Sequence, residues 1–177
     1  MTWRPEPLSN PSSTDLDQLS ELLVDAVDSG ASVSFMAGLD LATAREWWQR
    51  TCAGAHDRAV ILIARDAAGI AGSVQLHPAW APNQPHRADV AKLLVHRRAR
   101  RQGLAQALMR ELEAHAARAG FTLLVLDTCR GTPAEALYRG MGWTEAGVIP
   151  HFALTPDGGT CDTVFFYKLL TGDRANR

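Results

Sequence analysis

The chain has 177 residues, 46% of them hydrophobic, and a formal net charge of −1. That is enough chain to bury a sizeable core, and one domain over residues 1–177 is expected. Near-neutral charge argues against a general nucleic-acid binder; with no apolar run of membrane-spanning length and no apolar leader, the expectation is a cytoplasmic protein without nucleic-acid or membrane partners.

Residues 9–13, Ser-Asn-Pro-Ser-Ser, read as a turn, and Thr14 can cap a first helix. On that helix Leu16, Leu19, Leu23 and Val27 recur at helical spacing, and Gly30 can end it. Asp40 can cap a second helix with Leu41, Ala44, Trp48 and Cys52 on one face. Arg58 to Arg65 contains the β-branched run Val60-Ile61-Leu62-Ile63 and reads as a strand; Asp66-Ala67-Ala68-Gly69 turns the chain. In the next strand Gly72, Val74 and Leu76 alternate with Ser73, Gln75 and His77, which predicts one wetter face.

Trp80 to His86 holds two prolines and reads as a loop. Asp89 to Val95 is a predicted strand, Gln102 to Ala119 a helix closed by Gly120, and Phe121 to Leu126 an interior strand apolar on both faces, so the three form a right-handed crossover. Thr132-Pro133-Ala134-Glu135 has the form of a capping box with Pro in the first turn, and Gly142 can end that helix. Two last strands flank Thr155-Pro156-Asp157-Gly158-Gly159. The order of elements predicts an α+β sheet domain.

Cys52, Cys129 and Cys161 are odd in number and far apart, with neither zinc spacing nor a disulfide framework, which suggests a reducing compartment. The six histidines form no short ligand pair, so no metal is expected.

The most informative stretch runs from Lys92 to Ala105. A hydrophobic strand enters a basic loop, and Arg100-Arg101-Gln102-Gly103-Leu104-Ala105 leads straight into a helix. A helix start offers unpaired N–H groups and partial positive charge, which suits a phosphate. Gly103 and Ala105 keep the approach to the backbone clear, and the arginines add charge for a polyanion such as the pyrophosphate of coenzyme A. Read instead as a nucleic-acid patch, Arg97 to Arg101 lacks a second basic cluster or an aromatic platform.

This element resembles the acetyl-CoA-binding motif of the GNAT N-acetyltransferase superfamily. A second element, Ala134-x-x-Leu137-Tyr138-x-x-x-Gly142-Trp143, is similar to the one those enzymes carry on the helix after the crossover. Gly30 to Met36, Arg87 to Leu93, Leu126 to Thr128 and Ala153 to Gly158 resemble stretches of the tabtoxin-resistance acetyltransferases within that superfamily. The resemblance implies a mostly antiparallel mixed sheet whose two crossover strands splay apart, with acetyl-CoA as co-substrate wedged between them. It implies that main-chain groups of Leu93 and Val95 meet the pantetheine arm, with an oxyanion-stabilising N–H near Leu94 or Val95. The pyrophosphate then falls to Arg100, Arg101, Gln102, Gly103, Leu104 and Ala105. Arg101 stands where the motif usually has Gly, and a positive φ there would strain it.

Acetyl transfer to an amine needs an anchored cofactor, a deprotonated amine, a stabilised oxyanion and a proton for the leaving thiolate. Tyr138 is the candidate acid; otherwise it is a core tyrosine. Asp89 and Asp127, at the positions of the acidic residues proposed for tabtoxin-resistance enzymes, are the candidate bases; otherwise they are an edge-strand charge and a turn cap. Asp89 replaces Glu and reaches one methylene less far. Phe35 and Met36 either wall the acceptor pocket or tuck into the core, and His151 either lines the pocket or is structural. Arg87 is a candidate partner for an acceptor carboxylate, or a solvated charge. The expected activity is acetylation of a small amino-acid-like amine, with toxin or antibiotic resistance as one role, by a monomer or homodimer. Acetylation of a protein amine and a CoA-binding module without turnover are the rivals.

Overall fold

The computed structural model of the protein describes residues 2–54 and 58–170. Its elements are β1 (Glu6–Pro7), α1 (Ser13–Asp28), α2 (Leu41–Ala53), β2 (Val60–Asp66), β3 (Gly69–Pro78), β4 (Arg87–Val95), a 3-10 turn (Arg97–Ala99), α3 (Leu104–Arg118), β5 (Leu123–Cys129), α4 (Pro133–Gly140), β6 (Thr144–Leu154) and β7 (Thr160–Leu169). The α+β class and the order of the expected elements hold; the two-residue β1 is an addition. The cap of α1 moves: Ser12, not Thr14, accepts from the Asp15 N–H at 3.1 Å, and the Asp15 carboxylate accepts from the Ser12 N–H at 2.9 Å. Ser12 is three residues before an acid, the spacing a capping box requires, and Thr14 is already helical. Asp40 caps α2 by accepting from the Thr43 N–H at 2.7 Å.

The seven strands pair in the order β1-β2-β3-β4-β5-β7-β6, antiparallel throughout except between β4 and β5. Helix α3 lays Leu104, Leu108, Met109, Leu112 and Ala116 on one face of the sheet, against Leu62, Val74, Leu76 and Leu124. Helix α1 lays Leu19, Leu22, Leu23, Ala26 and Val27 on the other face, against Ile61, Ile63, Ile70 and Leu94. This double cover overturns the expected wet face of β3. Ser73 and Gln75 are buried, because the α1–α2 layer lies where water was expected. Gly72 sits where the sheet meets the start of α3: a Cβ there would come within 2.8 Å of the Leu94 carbonyl oxygen, so no larger residue fits without moving backbone.

The parallel pairing of β4 and β5 covers only Arg87↔Leu123, Ala88↔Leu124 and Asp89↔Val125. Beyond those pairs the strands separate, while β4 stays bonded to β3 as far as Val95↔Gly72. A wedge therefore opens in the middle of the sheet, with one edge of β4 unpaired along 90–95.

The cysteines require a correction. Cys129 and Cys161, 32 positions apart in the chain, form a disulfide with Cα atoms 5.9 Å apart. β5 and β7 are antiparallel neighbours, and that register brings the end of one beside the start of the other; separation along the sequence carries no information about it. The pairing removes the basis for inferring a reducing compartment from unpaired thiols. Cys52 is the free cysteine among the described residues.

Candidate active site

The loop between β4 and α3 is built from within. The buried Asp25 carboxylate accepts from the Arg97 backbone N–H at 2.9 Å and forms ion pairs with the Arg97 and Arg100 side chains. Asp66 takes Arg98 at 3.0 Å, and Arg98 also donates to the Ile70 carbonyl at 2.9 Å. Trp3 donates its indole N–H to the Gln102 carbonyl at 3.0 Å. These contacts correct the view of the run Arg97 to Arg101 as a block of free charge. Arg97, Arg98 and Arg100 are tied to carboxylates, and among the described residues Arg101 alone of the four has no ion-pair partner.

Gly103 is the N-cap of α3 at φ +78, with no side-chain cap, and a Cβ there would meet nothing within 4 Å. The first helical donor with an acceptor is the Ala107 N–H, bonded to Gly103 O at 3.0 Å. The N–H groups of Arg101 through Gln106 find no acceptor among the described residues. A row of unpaired donors at a helix start, facing open space, fits the pyrophosphate of coenzyme A. Along the open edge of β4, the His96 N–H turns inward to the Ala71 carbonyl at 2.9 Å. Strand alternation then directs the main-chain groups of Val95 and Leu93 outward into the wedge, where an extended pantetheine arm can pair like an added strand.

Arg101 adopts φ +61, the left-handed conformation that favours glycine. Arg101→Gly is therefore expected to raise stability by about 1 kcal/mol or less, the cost of holding a Cβ in that region being offset in part by glycine's looser unfolded state. The same variant loses the unpaired cation of the cradle, so its dissociation constant for acetyl-CoA should rise, most at low salt. A thermal melt and a titration at two ionic strengths check both signs.

Beyond the wedge, on the face covered by α1 and α2, titratable groups gather. Register sets His77 opposite Asp89, and Asp127 lies two residues past Val125, the last partner of β4. His77 Nε2 lies 2.8 Å from Gln75 Oε1. Burial holds the His77 pKa below its ordinary value against the pull of Asp89, which leaves the ring neutral at neutral pH. The Asp127 pKa is raised, first by loss of solvation and then by Asp89, with Lys92 opposing. Although its side chain is exposed by area, Asp127 has protein crowding around it, and that crowding governs its solvation. Asp89 is in an ion pair with Arg87, which also donates to Gln84 at 2.8 Å, so the Arg87 guanidinium is already engaged at both positions.

Residues 23–143, more than half of the chain, match the family model described as acetyltransferase (GNAT) family. The chain belongs to the GNAT acetyltransferase family. It is an acetyl-CoA-dependent acetyltransferase, and acetyl-CoA supplies the activated acyl thioester. The solved structures it resembles share the fold. A phosphinothricin acetyltransferase from Sinorhizobium meliloti in complex with acetyl-CoA matches at TM-score 0.79 and 20% identity, over 100% of this chain and 93% of that one. A GCN5-related N-acetyltransferase from Kribbella flavida matches at TM-score 0.77 and 22% identity, over 95% and 98%. A ribosomal-protein-alanine N-acetyltransferase from Brucella melitensis matches at TM-score 0.76 and 22% identity, over 94% and 99%.

In this acetyltransferase Tyr138 is buried on α4, with the rings of Trp143 and Phe166 each 6.0 Å away. Its hydroxyl has no hydrogen-bond partner among the described residues and is not sealed from solvent. Burial, and secondarily the Asp127 charge, push its pKa above the ordinary phenol value, so it holds its proton at neutral pH. Phe35 is half-buried against Trp47, with centroids 5.5 Å apart, while Met36 is exposed. The α1–α2 loop carrying them is tied to the β6–β7 hairpin: Ala37 N donates to the Pro156 carbonyl at 2.9 Å, and Ser32 Oγ to the Leu154 carbonyl at 3.1 Å. His151 lies further along β6, exposed, at φ +53 on a bulge, with its backbone N–H on Asp162. It lines a shallow depression with Arg130, Thr155 and Thr160.

Asp25, Gln75, His77, Lys92 and Trp47 were missed in the sequence. Asp25 stands half a turn around α1 from Leu16, off the stripe of Leu16, Leu19, Leu23 and Val27, so helical spacing alone reads it as solvent-facing. Gln75 and His77 are legible only as polar alternation, a pattern that by itself predicts the wetter face of a strand. Among the described residues no group of His, Cys, Asp and Glu is arranged to hold a metal ion, and no helix is long and apolar enough to cross a membrane.

Proposed function

We propose that this acetyltransferase moves the acetyl group of acetyl-CoA onto the primary amine of a small amino-acid-like acceptor, by direct attack in a ternary complex. What carries this reading is the roof over the acceptor side. The α1–α2 loop and the β6–β7 hairpin are hydrogen-bonded to each other, and Pro156 at the hairpin tip is buried. A roof of this kind admits a compact amine and obstructs a chain passing through. Resemblance to the tabtoxin-resistance enzymes supports an amino-acid acceptor, with toxin or antibiotic resistance as the role. The reading takes the protein as one cytoplasmic domain over 1–177, working as a monomer or homodimer.

Each chain residue has a task in this scheme. The α3 start and Arg101 hold the pyrophosphate, and the open edge of β4 at Leu93 to Val95 orients the pantetheine arm and offers an N–H to the thioester oxygen. Asp127 takes the proton from the acceptor ammonium, directly or through a water. Asp89, already paired with Arg87, keeps that end of β4 in place. Tyr138 gives its proton to the departing sulfur. No enzyme thiol enters: Cys129 is in the disulfide, and burial raises the Cys52 pKa, the opposite of what a nucleophile needs.

Freeing an alkylammonium of its proton at pH 7 costs about 4 kcal/mol, so a base matters most below the amine's pKa. Asp127→Asn is expected to lower kcat/KM by about 10²-fold or more at neutral pH, with the deficit closing toward alkaline pH, where free amine is abundant. Because its pKa is raised, Asp127 should also produce an acid limb above the ordinary carboxylate range, and the variant should lack that limb. A variant with the wild-type pH profile would remove Asp127 from the chemistry. The deciding experiment for the whole reading is a screen of small amines and basic peptides with acetyl-CoA, scored by thiol release. A basic peptide with higher kcat/KM than every small amine would instead favour protein acetylation.

A further inference from the structure

Under the roof one cation has no counter-ion. Lys92 occupies the bulge of β4 at φ +51, where the register with β3 shifts between Ser73 and Gln75. Its Nζ donates to Ser34 Oγ at 3.0 Å, and Ser34 too is left-handed, at φ +73. The rings of Trp47 and Phe35 lie 5.6 and 6.0 Å from Nζ. Among the described residues no carboxylate oxygen comes within 4.0 Å of it. Asp127 is near enough to be felt but not to bond.

Two non-glycine residues held at positive φ meet here through a single hydrogen bond. Backbone strain of that kind persists where the surrounding structure enforces it, and it gathers at ligand sites. Only one of the three ammonium donors is used. A half-buried ammonium with no ionic partner is costly, and burial holds its pKa below the ordinary lysine value. On the same face the Gln75 side-chain Nε2 and the Ser73 Oγ are fully buried and unpartnered.

We propose that Lys92 is the receptor for a carboxylate on the acceptor, so that Lys92 and Asp127 together select an amino-acid zwitterion. The ammonium of the acceptor goes to Asp127, which takes its proton. The carboxylate goes to Lys92, which Ser34 and the faces of Trp47 and Phe35 hold in position. This assignment rests on the small-acceptor reading above and gives it a chemical class. It also replaces Arg87, whose guanidinium is occupied by Asp89 and Gln84.

The test compares free amino acids with their carboxamides as acceptors, using wild type, Lys92→Met, Lys92→Gln and Lys92→Arg. Wild type is expected to prefer the free amino acid. In Lys92→Met and Lys92→Gln that preference, as a ratio of kcat/KM, should fall by roughly 10- to 100-fold, mostly through KM, the range a charge-assisted hydrogen bond covers. Lys92→Arg keeps the charge and should retain most of the preference. If Lys92 serves only to keep Asp127 ionised, kcat falls equally for both acceptors and the ratio does not change, which overturns the proposal. A wild type that does not distinguish the two acceptors overturns it without recourse to any variant. Protection from heating by acetyl-CoA, read on each protein, shows that fold and cofactor site are intact. A wild type active on peptides alone overturns the small-acceptor reading itself, whereas activity on amino acids with an unchanged ratio in Lys92→Met and Lys92→Gln overturns Lys92 only.

Discussion

Tyr138→Phe is expected to lower kcat by about 10²–10⁴-fold while acetyl-CoA binding changes little. The hydroxyl makes no hydrogen bond within the described protein, so its removal leaves no orphaned partner behind. The ring keeps its packing against Trp143 and Phe166, so the variant should melt as the wild type does or slightly higher. A phenol whose pKa lies above its ordinary value stays protonated across the working range, as a proton donor to a departing thiolate must. The loss should therefore appear in kcat and be nearly independent of pH around neutrality. Wild-type turnover would reduce Tyr138 to a packing residue and leave thiolate protonation to solvent.

Gly103→Leu carries the second large effect. Acetyl-CoA at 100 times its dissociation constant should add about 2.7 kcal/mol to the stability of the wild type, which for a chain of this size is a rise in Tm of roughly 5–10 °C. In Gly103→Leu that rise should vanish. A Leu side chain would project into the open space before the α3 N–H groups, the space the pyrophosphate needs. The variant also takes on backbone strain at φ +78, so its stability without ligand should fall by about 1 kcal/mol. The two effects separate by titration: strain lowers the starting Tm, and a blocked cradle flattens the response to acetyl-CoA. A preserved response would place the anion site elsewhere.

These two expectations rest on residues that were legible from the sequence. Gly103 announced itself by its spacing from Arg100 and Ala105 at a strand-to-helix junction, and Tyr138 by its place between Ala134 and Trp143. Both signals are local. A helix start, a cap or a left-handed turn is decided by residues within a few positions of one another, so Asp40, Gly103 and the strained Arg101 could all be read along the chain.

What the amino-acid order determined by itself was the α+β class, the succession of helices and strands, and the glycine-led start of α3 that the proposed function uses, because periodicity and capping act over one or two turns of chain. What only the tertiary structure decided was which charges are free and which faces are dry. Asp25 and Asp66 draw Arg97, Arg98 and Arg100 into ion pairs. The α1–α2 layer buries Ser73 and Gln75. Antiparallel register brings Cys129 to Cys161, and a bulge turns Lys92 toward Ser34 and Trp47. Each of these pairs elements far apart in the chain. Solvation and ion pairing depend on distance through space, and that distance is set only when the sheet closes.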